Sequence, residues 1–475
     1  MSGNLAWKCP SCGYINKESH QHCVNCGVSQ DVATWTCPNC KEVNSRTVTV
    51  CVYCGSRIAM KHMDLKNIDR NLVPRLPLLE YVVQTKIRQF SRLDLGNYYF
   101  IIVLHFLRDL LPFLDGLLAF GAKPSRCYLV CKPYLYAHRR QIENYLRKMG
   151  FSVLMSSTGE EIDKNVRTIL LDLKKKLKRG KRFLILEDGG YVAPILHSTG
   201  FKSLTRYCIG VVEQTTRGLR KDQKIRAVRV PILNVAGCEF KLTYEPSYVG
   251  KAVVQNLRKL LPNINLSGKS ALVIGFGAIG EKVAEYLNAM EAMKVYVAEK
   301  RPSRLLIAKQ AKYVAGAAET AERFLRECLI IIGATGERSI GKDEISKLQQ
   351  GSILASASSE RVEVDVGELE RLTGGYANAI TDEIVDGQKV GSRYMLRLLS
   401  PEISVVLLAD GHPVNFFSSE SIPNESIDPI ISVLFLSAFE LVTTRKIRLG
   451  IHTKIVDDIV RREDIENTFL KLHKL

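Results

Sequence analysis

Residues 269–304 read KSALVIGFGAIGEKVAEYLNAMEAMKVYVAEKRPSR. A continuous apolar run gives way at the glycines to a helical apolar pattern, the signature of a strand, a tight turn and a helix. Gly275, Gly277 and Gly280 form GxGxxG at that junction. Missing side chains there let the turn close, let a pyrophosphate approach the backbone and let the helix pack on the sheet, while the helix N-terminus faces the anion. Tight packing alone would also explain three glycines. A second apolar strand, 294–298, however, ends in Glu299, nineteen residues beyond Gly280, where a ribose-binding acid is expected. Glu299 would accept hydrogen bonds from ribose hydroxyls and repel a ribose phosphate, favouring NAD over NADP; Arg301 and Arg304 soften that choice.

Working outward, apolar strands at 329–332 and 352–355 continue the alternation with helices, giving a dinucleotide domain over 250–400 in which residues 333–336 sit at a strand end. Between 76 and 249 a second alternation appears, with strands predicted at 126–131, 151–155, 182–186, 207–212 and 228–235 and helices at 136–149 and 162–177. The fold class is α/β: two doubly wound Rossmann-like parallel-sheet domains, with ligand bound between them. Residues 401–475 form a return to the first domain and a tail. The apolar stretch 98–118 is interrupted by His105, Arg108, Asp109, Pro112 and Asp115, so it reads as a buried helix and not a membrane span, with His105 as a core histidine.

The chain has 475 residues, 46% hydrophobic and 24% charged, a composition that excludes a disordered or collagenous protein and suggests about three domains. Its formal charge of +18 calls for an anionic partner. Residues 1–60 hold five basic side chains (Lys8, Lys17, Lys41, Arg46, Arg57) against three acidic ones (Glu18, Asp31, Glu42), so +16 of that charge belongs to the body. The run KKKLKRGKR at 174–182 reads as a solvated helix end in preference to a nucleic-acid patch.

Eight of the thirteen cysteines lie in the first 54 residues, in two copies of WxCxxC, ten residues, CxxC. Cys9, Cys12, Cys23 and Cys26 form one set, and Cys37, Cys40, Cys51 and Cys54 the other. Four thiolates at this spacing can enclose a structural zinc ion, one in module 1–30 and one in module 31–58, ahead of a linker at 59–75. Disulfides or free thiols are the alternative. CxxC pairs, an odd cysteine count and no secretory leader place the chain in a reducing compartment, by default the cytoplasm. Trp7 and Asn16, matched by Trp35 and Asn44, make each module similar to Ran-binding-protein-type zinc fingers. That family includes single-stranded RNA binders and ubiquitin binders. The few aromatic and basic residues between these cysteine pairs tilt the expectation toward a protein partner over RNA.

Several segments together carry a second resemblance: LEDGG at 186–190, EQTTRG at 213–218, PILNVAGCEFKLTYEP at 231–246, the glycine-rich turn, and LLADGHPVN at 407–415. In this order they resemble the adenosylhomocysteinase family over roughly 100–440. The resemblance implies a tightly held NAD that oxidises the ribose 3-hydroxyl of a nucleoside thioether so that homocysteine can be eliminated, followed by water addition and reduction. It maps Lys241 onto the active-site lysine, Asp188 onto an active-site aspartate, and Glu245 onto a carboxylate beside the lysine. Thr215, Thr216, Gly275, Gly277, Gly280, Glu299 and Asn415 map onto cofactor contacts. Departures fall on the substrate side: Gln214 stands for a glutamate, Glu245 for an aspartate, and Pro246 and Ala236 for asparagines. The family's histidine-bearing segments align with Lys132-Pro133-Tyr134 and Ser358-Ser359-Glu360, which removes both histidines. Its lysine-and-tyrosine tail has no counterpart in ENTFLKLHKL, which bears on whether a homo-oligomer forms.

Three readings stay open: an NAD enzyme acting on a nucleoside-type small molecule, a catalytically silent NAD-dependent sensor whose zinc modules recruit a partner, and an RNA-binding protein.

Overall fold

The computed structural model describes residues 72–474, apart from 135, 178, 179, 321, 359 and 445, together with the backbone of four short N-terminal strands. Those four form two antiparallel pairs, Ala6–Lys8 with Ile15–Lys17 and Thr34–Thr36 with Val43–Ser45. Residue 7 is in register with residue 16 in the first pair and residue 35 with residue 44 in the second, so the backbone pairing repeats with the sequence. The eight cysteines proposed as zinc ligands lie outside the described residues.

The first large sheet has seven strands, all parallel, in the spatial order Gly450–His452, Pro231–Asn234, Cys208–Glu213, Arg182–Glu187, Tyr98–Leu104, Cys127–Cys131, Ser152–Leu154. The chain begins in the middle, winds to one edge, crosses back and winds to the other. The second sheet repeats this plan with Val314–Gly316, Lys294–Ala298, Ser270–Ile274, Ile330–Gly333, Ile353–Ser356 and Ile403–Leu408 in parallel. It then adds an antiparallel hairpin, Gln388–Leu396 and Ile380–Val385, which the purely parallel expectation lacked. Both faces of each sheet are covered by apolar clusters, which is why these strands read as unbroken Val, Ile and Leu runs.

The stretch 98–118 corrects the sequence reading. It is not one helix but a central strand, Tyr98–Leu104, followed by a short turn and the fully buried helix Leu110–Ala119. The segment YYFIIVL is rich in β-branched and aromatic residues, and Cys127–Cys131 and Arg182–Glu187 flank it with hydrogen-bonding partners on both sides. Burial on both faces erases the alternation that would have marked it as a strand.

Two helices tie the halves together. Glu239–Leu260 starts in the first core through Phe240 and ends in the second through Val253 and Leu257. It packs so closely on helix Ala278–Glu291 that a Cβ on Gly250 would meet the Lys282 Cβ at 2.6 Å. Asn424–Thr443 brings the chain back. It is the one helix among the described residues long and apolar enough to cross a bilayer, and it is instead buried in the first core. Its Asp428 accepts the Leu78 and Leu79 N–H groups at 2.8 and 2.9 Å, satisfying donors at the start of helix Pro77–Gln89.

Candidate functional site

In an open parallel sheet the ligand crevice lies at the carboxyl ends of the two strands where the winding reverses. The second sheet reverses between Ser270–Ile274 and Ile330–Gly333. Gly275 follows the first of these with φ +96°, a left-handed conformation that only glycine adopts without strain, and an added Cβ would strike the Ala334 carbonyl oxygen at 2.9 Å. Gly280, in helix Ala278–Glu291, would strike the Gly275 carbonyl oxygen at 1.9 Å. Gly277 differs: a Cβ there would meet only the Arg301 Nη2, at 3.5 Å, so this glycine leaves the helix N-terminus approachable. The three glycines thus divide the work as the motif requires: turn, approach and packing.

Glu299 ends the neighbouring strand and is 4% exposed. Burial opposes its charge, but the backbone N–H groups of Arg301 and Phe276, at 2.8 and 2.7 Å, and the Arg301 guanidinium hold its pKa below the usual carboxylate range. A fixed carboxylate beside the glycine turn suits a ribose diol. Asn415 lies on the segment returning from the second sheet; its Nδ2 donates to Ser421 at 3.1 Å while its buried Oδ1 has no partner among the described residues. That orphaned acceptor fits an amide N–H of a bound cofactor. Residues 335 and 336 are clamped by buried Glu363, which accepts the Thr335 and Gly336 N–H groups at 2.7 and 2.6 Å.

The first sheet reverses between Tyr98–Leu104 and Arg182–Glu187, and here two residues meet. His105 directly follows the one strand and Asp188 the other. The His105 Nε2 lies 3.2 Å from Asp188 Oδ2, and the Lys132 Nζ lies 2.6 Å from Oδ1. His105 is buried among aromatic rings, as a core histidine would be, and in addition it faces Asp188, a partner the sequence did not indicate. Lys132, read as a residue that had replaced a histidine, is the other partner of the same carboxylate. Burial works against the Asp188 charge, but Lys132 and His105 together drive its pKa well down. Burial and then the Lys132 charge push the His105 pKa down, against the pull of Asp188. A neutral ring with the proton on Nε2 satisfies both contacts, donating to Asp188 and accepting the Tyr136 hydroxyl at Nδ1. Tyr134, Tyr136 and Phe416 wall the ring, with Phe416 stacked at 4.3 Å.

Local hydrogen bonds fix this carboxylate in place. Glu187 accepts the N–H groups of Tyr191, Val192 and Ala193 at 2.6, 2.6 and 3.0 Å, capping the helix Val192–Leu196. Glu213 accepts Gly189, Gly190 and Thr215 N–H at 3.1, 2.8 and 2.6 Å, tying the Asp188 loop to the loop bearing the candidate threonines. Thr215 caps helix Thr216–Asp222 through its hydroxyl, and Thr216 is the first helical residue. Lys241 is buried one turn from Glu245, its Nζ 3.2 Å from Oε1.

A clasp that the sequence did not reveal spans the two halves. Glu360, from the second, receives the Tyr191 hydroxyl at 2.7 Å and pairs with Arg217 Nε at 2.7 Å; both partners come from the first. Arg217 also donates to the Gly336 carbonyl at 3.1 Å. Nothing in the local pattern of ERV or TTRG marks these residues, because the pairing exists only between domains.

With that geometry in view, the likenesses to known proteins are specific. Residues 249–421 match the family model "S-adenosyl-L-homocysteine hydrolase, NAD binding domain", and residues 9–55 match "Double zinc ribbon". The second half therefore carries an NAD-binding domain of that type. The chain is 27% identical over 290 residues to an adenosylhomocysteinase of Sulfolobus acidocaldarius, covering 60% of this chain and 63% of that one. It is 27% identical over 300 residues to an S-inosyl-L-homocysteine hydrolase of Methanopyrus kandleri, covering 62% and 67%. The chain thus spans about 63% of the first relative's length. Among solved structures, a dipicolinate synthase polypeptide from Bacillus halodurans is 13% identical, covering 74% of this chain and 99% of that one with a TM-score of 0.41.

Proposed function

We propose that this chain is a divergent adenosylhomocysteinase-like protein that holds NAD at the glycine turn and takes a nucleoside or thioether ligand at the crevice of the first sheet. The observation that carries this reading is the pairing of two equivalent crevices: GxGxxG with Glu299 at one switch point, His105 with Asp188 at the other. Bound NAD would supply reversible hydride transfer. On the protein side, Glu299 would fix a ribose, Asn415 would receive a cofactor amide, Lys241 with Glu245 would exchange a hydroxyl proton, and Asp188 would orient His105 as an acceptor or donor of protons. The relatives' names differ in the base, adenosyl against inosyl, so the base is left open.

A second reading, a silent sensor, has its own observation in favour. Both Asp188 oxygens are already engaged, and Lys132, which holds one of them, is wholly buried. In either reading the two N-terminal modules, each proposed to carry a structural zinc on four cysteines in the Ran-binding-protein manner, recruit a protein partner.

The test incubates zinc-loaded, NAD-supplied full-length protein with adenosylhomocysteine and follows adenosine by chromatography, with a mass measurement of ligand that stays bound. Adenosine at multiple turnovers supports the enzyme. Retained NAD without turnover supports the sensor, and neither product nor retained NAD contradicts both.

A further inference from the structure

A cavity of about 510 Å³ lies at the seam between the halves, lined by Arg217, Glu337, Arg338, Arg361 and Asp365 among others. That size falls within the range of small-molecule sites, roughly 300–1,000 Å³. Neither the glycine turn nor Asp188, Lys132 or Lys241 borders it. It is a separate place from the crevices above.

Its charges do not cancel. Arg338 Nη1 lies 2.8 Å from Asp365, whose other oxygen caps a helix by accepting Glu368 N–H at 3.1 Å. Glu337 is shared between Arg220 at 3.2 Å and Lys300 at 3.3 Å. Arg217 is held by Glu360 at 2.7 Å. Arg361 donates through Nε to the neutral carbonyl of Asp410 at 2.7 Å and meets no carboxylate among the described residues. Among the lining residues three cations (Arg217, Arg338, Arg361) outnumber two carboxylates (Glu337, Asp365), and Glu337 is already paired by Arg220 and Lys300 from outside the lining. Three arginines lining one cavity can offer planar, forked donors that match phosphate oxygens in pairs.

We propose that this seam cavity binds a small molecule carrying a phosphate group, with Arg361, Arg338 and Arg217 as its contacts. Arg217 couples the site to the clasp. A phosphate that draws Arg217 competes with Glu360 for the same guanidinium, and so loosens the grip of Glu360 and Tyr191 across the domains.

Inorganic pyrophosphate titrated calorimetrically into full-length, zinc-loaded protein, with sulfate at matched ionic strength as control, tests this. The expected result is saturable pyrophosphate binding that Arg361→Gln and Arg338→Gln each weaken about tenfold, as the loss of a charge-assisted contact should. Glu360→Gln, which frees the Arg217 charge, should tighten it severalfold. Gly277→Asp, which places a carboxylate in the glycine turn, should leave it unchanged. Absence of saturable binding overturns the proposal. So does undiminished affinity in a folded Arg338→Gln/Arg361→Gln double variant, or loss of binding in Gly277→Asp, which would move the pyrophosphate to the dinucleotide site.

Discussion

The His105 Nε2 and the Asp188 Oδ2 lie 3.2 Å apart because the strands that end just before them are neighbours at the reversal point of the first sheet. Topology brings them together, and the buried Lys132 on the other oxygen makes the group a closed network: one carboxylate, one ammonium and one neutral ring. Removing either charged member, Asp188 or Lys132, leaves the other as an uncompensated buried charge, which typically costs about 3–5 kcal/mol.

Lys132→Met is therefore expected to lower unfolding free energy by about 3–5 kcal/mol, read from urea denaturation. Asp188→Asn should do the same alone, since it strands Lys132. The double variant should lose clearly less than the sum of the two, the signature of direct coupling. Additive losses would mean that the two side chains contribute independently.

Glu360→Gln is expected to open the clasp without unfolding either half. Amide hydrogen exchange should speed up in helix Thr216–Asp222 and around Tyr191, which this carboxylate holds through Arg217 and the tyrosine hydroxyl. Exchange unchanged there would show that the apolar contacts between the halves hold the cleft without it.

A third expectation concerns pH. Asp222 is fully buried, neither oxygen has a hydrogen-bond partner among the described residues, and burial beside the charges of Glu187 and Glu213 pushes its pKa up to about 9. A carboxyl raised in this way binds its proton in the folded state while the unfolded chain has already released it. Its contribution to stability is therefore present at low pH and lost as pH rises from the ordinary carboxylate range to about 9. Asp222→Asn should remove that term, flattening stability against pH above neutrality, with up to about 1.4 kcal/mol per pH unit at stake. Thermal melts of both proteins between pH 6 and 9.5 should diverge progressively; parallel curves would contradict the assignment. Buried His412, its pKa held down to about 4 by burial and by Arg361, acts in the opposite sense, costing stability only as pH falls below the usual histidine range.

Much of this arrangement was legible in the sequence wherever its cause is local. The turn at Gly275 to Gly280 and the acid at Glu299 sit on one strand, one helix and the next strand, and the structure places them as the motif implies. The strand predicted at 294–298 matches Lys294–Ala298, and that at 182–186 gains one residue. Where the cause is distant, the sequence was silent. Tyr98–Leu104 is a strand because two other strands flank it, and the same apolar run would serve equally as a buried helix. That misreading hid His105, since a residue's place at a strand end follows from knowing the strand exists. Arg217, Tyr191 and Glu360 acquire their roles only from each other, across a seam no linear pattern records.

The two cysteine sets bear on composition directly. Metal analysis of the purified full-length chain is expected to give two zinc ions, and Cys9→Ser or Cys37→Ser to lose one each. A count near zero in a folded, reduced preparation would contradict both sites.

The most direct measurement is a calorimetric titration of NAD into the full-length protein and its Glu299→Ala variant. Saturable binding by the parent, weakened about tenfold or more in the variant, is the expected result, because the ribose would lose its buried charged acceptor. No binding by the parent, or equal affinity in both, would contradict an NAD site built on the glycine turn and Glu299.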